Sequence, residues 1–186
     1  RRFLPDGIPE SIVERLLEAA ALAPSAHNSQ PWRFVVLSDA DTRRELQDAM
    51  HNQYRDDLVR DGVEEHEIER ILRRSKIVFS GAPLVVLLCM SMEDMHTYPD
   101  AGRSRAERTM AVQSAALAGG HLLLAAEAEG LGSCWMCSPL FSEKAVRSVL
   151  DLPMDWEPQA LILLGYPAGA PGRRKLKSLE ELVLWR

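Results

Sequence analysis

ERTMAVQSAALAGGHLLLAAEAEGLGSCWMC, residues Glu107 to Cys137, is the stretch whose reading decides the fold. Met110, Val112, Ala115 to Ala118 and Leu122 to Ala126 leave almost no polar face, and a helix apolar all round is a buried one. A membrane span needs ~18 or more predominantly apolar residues with suitable flanks, whereas this run is broken by Gln113 and His121. The pattern therefore predicts a core helix. Gly119 and Gly120 in its middle each cost ~1 kcal/mol relative to Ala, so something approaches the backbone there, and a partner helix would do so. The helix stops at Gly130, and LGSCWMC reads as a short strand that follows directly.

Working outward, 186 residues predict a single domain over 1–186, a length that buries ~70% of its unfolded surface without disulfides. A net charge of -5 argues against a nucleic-acid binder, because phosphate neutralisation requires a basic surface. Three cysteines and no signal-peptide pattern fit a cytoplasmic protein. The first residue is Arg1 rather than methionine, which points to a trimmed or processed start.

Towards the N-terminus, Ile8 to Ala23 has Ile12, Val13, Leu16, Leu17 and Ala20 at helical spacing and ends at Pro24. The loop PSAHNSQPW leads into a strand at Arg33 to Leu37. Asp41 to His51 and Glu64 to Lys76 read as charged helices about the turn at Asp61-Gly62, a helical flap over about residues 41–76. Pro83 to Met90 is a continuous apolar strand of the kind covered on both faces. Ser91 to Arg105 reads as a loop, Ser142 to Leu150 as a capped helix, and Gln159 to Tyr166 as another buried strand. The tail, Leu179 to Arg186, reads as an apolar strand that either edges its own sheet or pairs with a second copy.

Cys134 and Cys137 have CxxC spacing, but no second pair exists and the segment is a strand, so metal or disulfide chemistry is not expected. His27, His51, His66, His96 and His121 form no ligand spacing. Phosphate-loop, dinucleotide and nucleophile-elbow motifs are absent, and no nucleophile has a paired base. That points to a bound cofactor as the carrier of any reaction. Ser25, Asn28 and Gln30 lie on a loop between a buried helix and a buried strand, where their hydroxyl and amide groups can address a heteroaromatic ring edge or merely cap the loop. Arg173, Arg174 and Lys175 follow a glycine-rich segment, and an arginine fork suits phosphate, although a solvated patch is the plainer reading. With the glycines at 130 and 132, the set fits a planar, phosphorylated ligand.

The order helix, APSAHNSQPW, strand, GAPLVVLL, buried helix, EGLGSCW, LGYP, basic loop and apolar tail resembles the FMN-dependent nitroreductase family over nearly the whole chain. The resemblance implies an α+β fold with a central mixed β-sheet, helices around a long buried core helix, and an intertwined homodimer exchanging tail strands. It implies FMN at the dimer interface, held by Arg1, Ser25, Asn28, Gln30, Arg173, Arg174 and the backbone about Cys137. The family opens on an Arg-Arg-Ser stretch that this chain lacks, so Arg1 corresponds to its end. YRDDLVRDGV, IERILRR, YPDAGRSRAERTM, GLGSCWMCSPLF and LDLPMDWEP are also similar to the nitroreductase-like C-terminal domain of the coenzyme F420 biosynthesis ligase. That closer resemblance implies reduction of dehydro-F420-0 to F420-0, with Asp57, Arg74, Met110 and Trp135 against a small-molecule deazaflavin substrate. A flap salt bridge is the plain reading of Asp57 and Arg74, and a core role that of Met110 and Trp135. A general NAD(P)H nitro- or quinone reductase and a flavin- or deazaflavin-binding protein without turnover are the alternatives, and the electron and proton donors stay open.

Overall fold

The computed structural model describes residues 2–170, 172 and 175–186. Strands β1 (Trp32–Leu37), β2 (Leu84–Met90), β3 (Gly132–Met136) and β4 (Glu157–Gly165) form one sheet in the order β1-β2-β4-β3. Among the described residues every strand pair is antiparallel, which corrects the expectation of a mixed sheet. The cause lies in the connections. Two helices between β1 and β2, α2 (Ala40–Arg60) and α3 (Glu65–Ser80), form a hairpin that returns the chain to the end it left. The single long helix α4 (Ala101–Ala128) joins β2 to β3, but β4 lies between those two strands and runs against both.

All seven residues of β2 are buried, as a strand covered on both faces must be. Val85, Leu87 and Cys89 pack with Leu46 and Met50 of α2, Phe79 of α3 and Val146 of α5 (Glu143–Leu150). Leu84 and Val86 face Val13, Leu16 and Ala20 of α1 (Glu10–Ala21), with Leu122 and Ala126 of α4. Each of the Val, Leu, Met and Phe side chains among these contributes ~1.5–3 kcal/mol by leaving water. Burial holds the Cys89 thiol up at about 12, so it behaves as a small hydrophobe.

α4 is long and apolar enough to cross a membrane by length and composition, yet it is a core helix of this sheet. Its buried stripe is Glu107, Ala111, Ser114, Ala115, Ala118, Gly119, Leu122 and Ala126, the spacing of one helical face. The expectation of burial all round is corrected: Val112, Leu117 and Leu124 are exposed on the other side. The helix also begins earlier than its apolar run, because the Asp100 carboxylate accepts from the Arg103 backbone N–H at 2.9 Å and caps it. At its other end Gly130 takes φ +74°, and the Leu131 N–H reaches back to the Ala126 carbonyl at 2.8 Å.

The tail differs from the strand expected of it. Leu179–Leu182 is a helical turn, α6, because Ser178 and Glu181 form a reciprocal capping box there. Val183 is extended, and Leu184 and Trp185 are exposed.

Candidate functional site

Between α1 and β1 the chain makes a short 3-10 turn at Ala26–Asn28. His27, Asn28 and Gln30 all have positive φ, at 56°, 53° and 47°. Such conformations cost of order 1–3 kcal/mol each and persist only where surroundings enforce them. Here the surroundings are polar and specific. The Ala26 N–H donates to Ser114 Oγ at 3.2 Å, and that hydroxyl donates to the Met110 carbonyl at 2.7 Å. Ser29 Oγ donates to the Ala26 carbonyl at 2.8 Å, and the Gln30 N–H donates to Ser25 Oγ at 3.1 Å. Ser25 thus shapes the loop, while Asn28 and Gln30 line an open cavity of about 530 Å³ with Trp32, Arg33 and Asp94.

A second concavity, about 1210 Å³, lies between the end of α4, β3 and the segment after β4. Phe3, Gly130, Gly132, Ser133, Trp135 and Gly169 are among its walls. The N-terminal segment is fixed there by the Leu4 N–H to the Tyr166 carbonyl at 2.8 Å and the Ala168 N–H to the Arg2 carbonyl at 3.0 Å. A Cβ on Gly132 would stand 3.2 Å from the Phe3 ring, so glycine keeps this wall low.

Trp135 joins the two regions. Its ring lines the groove and also packs, with Met110 and Ala26, against the cluster of Ala23, Trp32, Leu88 and Met90. A Cβ on Gly119 would lie 2.3 Å from Trp135 Cζ3, so the close approach expected at that glycine comes from this indole and not from a partner helix. A Cβ on Gly120, by contrast, would meet no other part of the chain within 4 Å beyond its own helix backbone. The indole N–H donates to Cys137 Sγ at 2.9 Å, and Cys134 and Cys137 are both free thiols.

This fold recurs elsewhere. The family model described as the nitroreductase family matches residues 1–166. This chain belongs to the nitroreductase family. NADH dehydrogenase of Thermus thermophilus is 35% identical over 212 residues, covering 100% of this chain and 90% of that protein. The BluB-like flavoprotein of Clostridium difficile 630 superposes with a TM-score of 0.82 at 23% identity, over 99% of this chain and 92% of the other. A Desulfovibrio desulfuricans protein assigned as a nitroreductase and solved in complex with FMN gives a TM-score of 0.69 at 26% identity, over 100% and 90%.

Within this nitroreductase-family chain the remaining sequence-derived candidates divide. Arg1, Arg173 and Arg174 lie outside the described residues, though their neighbours Arg2 and Gly172 line the groove. Cys137 is exposed at the start of a 3-10 turn, Ser138–Phe141. Asp57 and Arg74 sit on the α2–α3 hairpin, which packs on the sheet face opposite α4 and lines neither concavity. Asp57 is engaged by Arg60 at 3.0 Å and by Gln53 Nε2 at 3.3 Å, the flap salt bridge of the plainer reading. Arg74 is exposed.

Sequence reasoning missed one constellation, formed by His27, His96 and Glu107. Glu107 is 1% exposed, and its Oε1 accepts the His96 backbone N–H at 2.9 Å and lies 3.3 Å from His27 Nε2. The only signal available was a carboxylate at the head of an otherwise uncharged helix stripe.

Proposed function

We propose that this chain is an FMN-dependent reductase and that its substrate is dehydro coenzyme F420-0. The observation that carries the flavin reading is the Ala26–Gln30 loop, where non-glycine residues at positive φ are held by hydrogen bonds to a buried helix and present Asn28 and Gln30 at a cavity. Strain maintained this way is characteristic of ligand clamps. The donor set fits FMN. The amides of Asn28 and Gln30 suit the polar edge of a planar ring, the glycine-walled groove admits a flat body, and the N–H groups near Trp135 to Cys137 can stabilise negative charge on it. Arg1, Arg173 and Arg174 would hold the phosphate. When bound, FMN supplies the hydride or electron transfer that no side chain of this chain can provide. The protein's own tasks are to hold the reacting partners in register and exclude water, and positioning alone can lower a barrier by ~7–11 kcal/mol.

The substrate reading rests on the flap and on its sequence similarity to the F420-ligase domain. Its two long helices present an exposed Arg74 that can meet a carboxylate or phosphodiester, while Met110 and Trp135 offer flat, polarizable surfaces. The second reading, a general NAD(P)H nitro- or quinone reductase, is favoured by the 35% identity to an NADH dehydrogenase. Anaerobic stopped-flow oxidation of the reduced holoprotein separates them. Dehydro-F420-0 is expected to oxidise the wild type faster than menadione or nitrofurazone does, and Arg74→Ala to slow only the first reaction. Equal rates and an indifferent variant overturn the deazaflavin reading.

The functional unit in this proposal is a homodimer. The loop and flap lie on opposite sheet faces of one chain, and a second copy would bring a flap to each flavin. Val112, Leu117 and Leu124 are exposed on α4, as are Leu184 and Trp185 on the tail, so both can be covered by another copy. Gly120→Leu and deletion of 179–186 are each expected to give monomer or aggregate by light scattering. A stable dimer carrying both changes contradicts this assembly.

A further inference from the structure

Beside the proposed flavin site, and sharing His27 with its loop, His27, His96 and Glu107 each offer a ligand atom, and the three atoms lie within 4.8 Å of one another. The buried member is the informative one. Glu107 Oε1 has two neighbours, but Oε2 is buried and has no hydrogen-bond partner. An orphaned carboxylate oxygen in the interior is costly, and each such group in a native protein has a cause. The two histidines are exposed, so the cluster opens to solvent on one side while the carboxylate anchors it from within. We propose that His27, His96 and Glu107 bind a divalent transition-metal ion of the zinc class.

Two imidazoles and one carboxylate are a donor set for Zn²⁺ and its neighbours rather than for Ca²⁺ or Mg²⁺, which prefer all-oxygen surroundings. Tetrahedral bonds of ~2.0–2.2 Å set donors roughly 3.3–3.6 Å apart, so atoms now within 4.8 Å of one another close by up to about 1.5 Å on binding. The imidazoles stack with centroids 4.0 Å apart at 16°, and coordination requires one to turn out of the stack so that their lone pairs converge. His96 is exposed, and rotation about its Cβ–Cγ bond would turn its ring out of the stack. The backbone N–H of His96 already orients Glu107, the kind of support that ligating carboxylates receive. Three protein ligands leave a coordination position for water. The consequence reaches the clamp, because His27 belongs to the strained turn and Glu107 to α4. An ion here would cross-link the loop to the helix that supports it.

The test is a Zn²⁺ titration of the FMN-loaded protein against a chromophoric zinc chelator. The wild type is expected to take up one ion per chain, and His96→Ala and Glu107→Gln to weaken uptake by roughly ten-fold or more, the loss typical of removing a ligand or its support. His121→Ala, on a histidine elsewhere, is expected to leave it unchanged. Co²⁺ is expected to give a visible ligand-field spectrum that disappears in His96→Ala. Because His96 is exposed, that variant stays informative even if Glu107→Gln fails to fold. Zinc uptake equal in wild type and His96→Ala, or uptake that follows His121, overturns the site and leaves Glu107 Oε2 to an ordered water.

Discussion

The Ser25–Gln30 loop and the α2–α3 hairpin are both connections beside the sheet, yet they are built on opposite principles. The loop is short, strained at His27, Asn28 and Gln30, and tied to α4 through the buried Ser114 and Glu107. The hairpin is long and charged. Beyond the part packed on the sheet, its burial rests on Leu58 and Ile68, and its surface carries ion pairs such as Arg55–Glu69 at 3.1 Å and Lys76–Asp48 at 3.7 Å. Exposed pairs contribute ~0–1 kcal/mol, whereas a buried hydroxyl whose partner is removed costs ~1–3 kcal/mol. The contrast gives geometric precision to the loop and length to the hairpin, which suits the proposed cofactor clamp and the proposed substrate cover respectively.

The severest way to break this contrast is Gly119→Ala. Alanine favours the helix by ~1 kcal/mol, but its methyl group would overlap Trp135, and overpacking a rigid indole costs ~1–3 kcal/mol. We expect a lower thermal midpoint and loss of bound FMN together, since the displaced ring links the loop cluster to the groove. Calorimetry and flavin absorbance read both. A comparable loss of stability, without direct displacement of Trp135, follows from Ser114→Ala, which leaves the Ala26 N–H without its acceptor. We expect ~1–3 kcal/mol in urea denaturation, with Met110 and the strained turn loosened. An unchanged midpoint would mean that the loop supports itself.

On the hairpin the effects are smaller. Asp57→Ala removes a surface pair to Arg60 and is expected to shift stability by less than ~1 kcal/mol. The hairpin does carry a pH signature. His51, half-buried and 3.1 Å from Ser75 Oγ, has its pKa lowered by burial. A depressed histidine favours the neutral folded form, so its contribution is present above the unfolded value of ~6.5 and is lost as pH falls through the folded one. Protection factors for amide exchange in α2 and α3, corrected for the slower intrinsic exchange at lower pH, are expected to fall below that range, and His51→Gln to flatten the change.

How much of this was legible in the sequence follows from the range of each interaction. β2 was readable because a strand covered on both faces must be apolar throughout, and the stop at Gly130 because a positive φ favours glycine. Ser25, Asn28 and Gln30 stood out because polar residues were flanked by buried elements. The early start of α4 was obscured by its charged first turns, although Asp100 is a good cap. At the tail, apolar content suggested a strand, while the capping box of Ser178 and Glu181 made a helical turn. Trp135 against Gly119 and the meeting of His27, His96 and Glu107 depend on how distant segments come together. No local pattern encodes that.

The central claim is that the strained loop, rather than the flap, holds FMN. Its most direct test is the FMN dissociation constant of Asn28→Ala beside that of Asp57→Ala, measured by fluorescence quenching on matched apoprotein. The account predicts a loss of roughly ten-fold or more for Asn28→Ala, the order of one hydrogen bond of ~1.5 kcal/mol, and no change for Asp57→Ala. Wild-type affinity in Asn28→Ala with a loss in Asp57→Ala would contradict it.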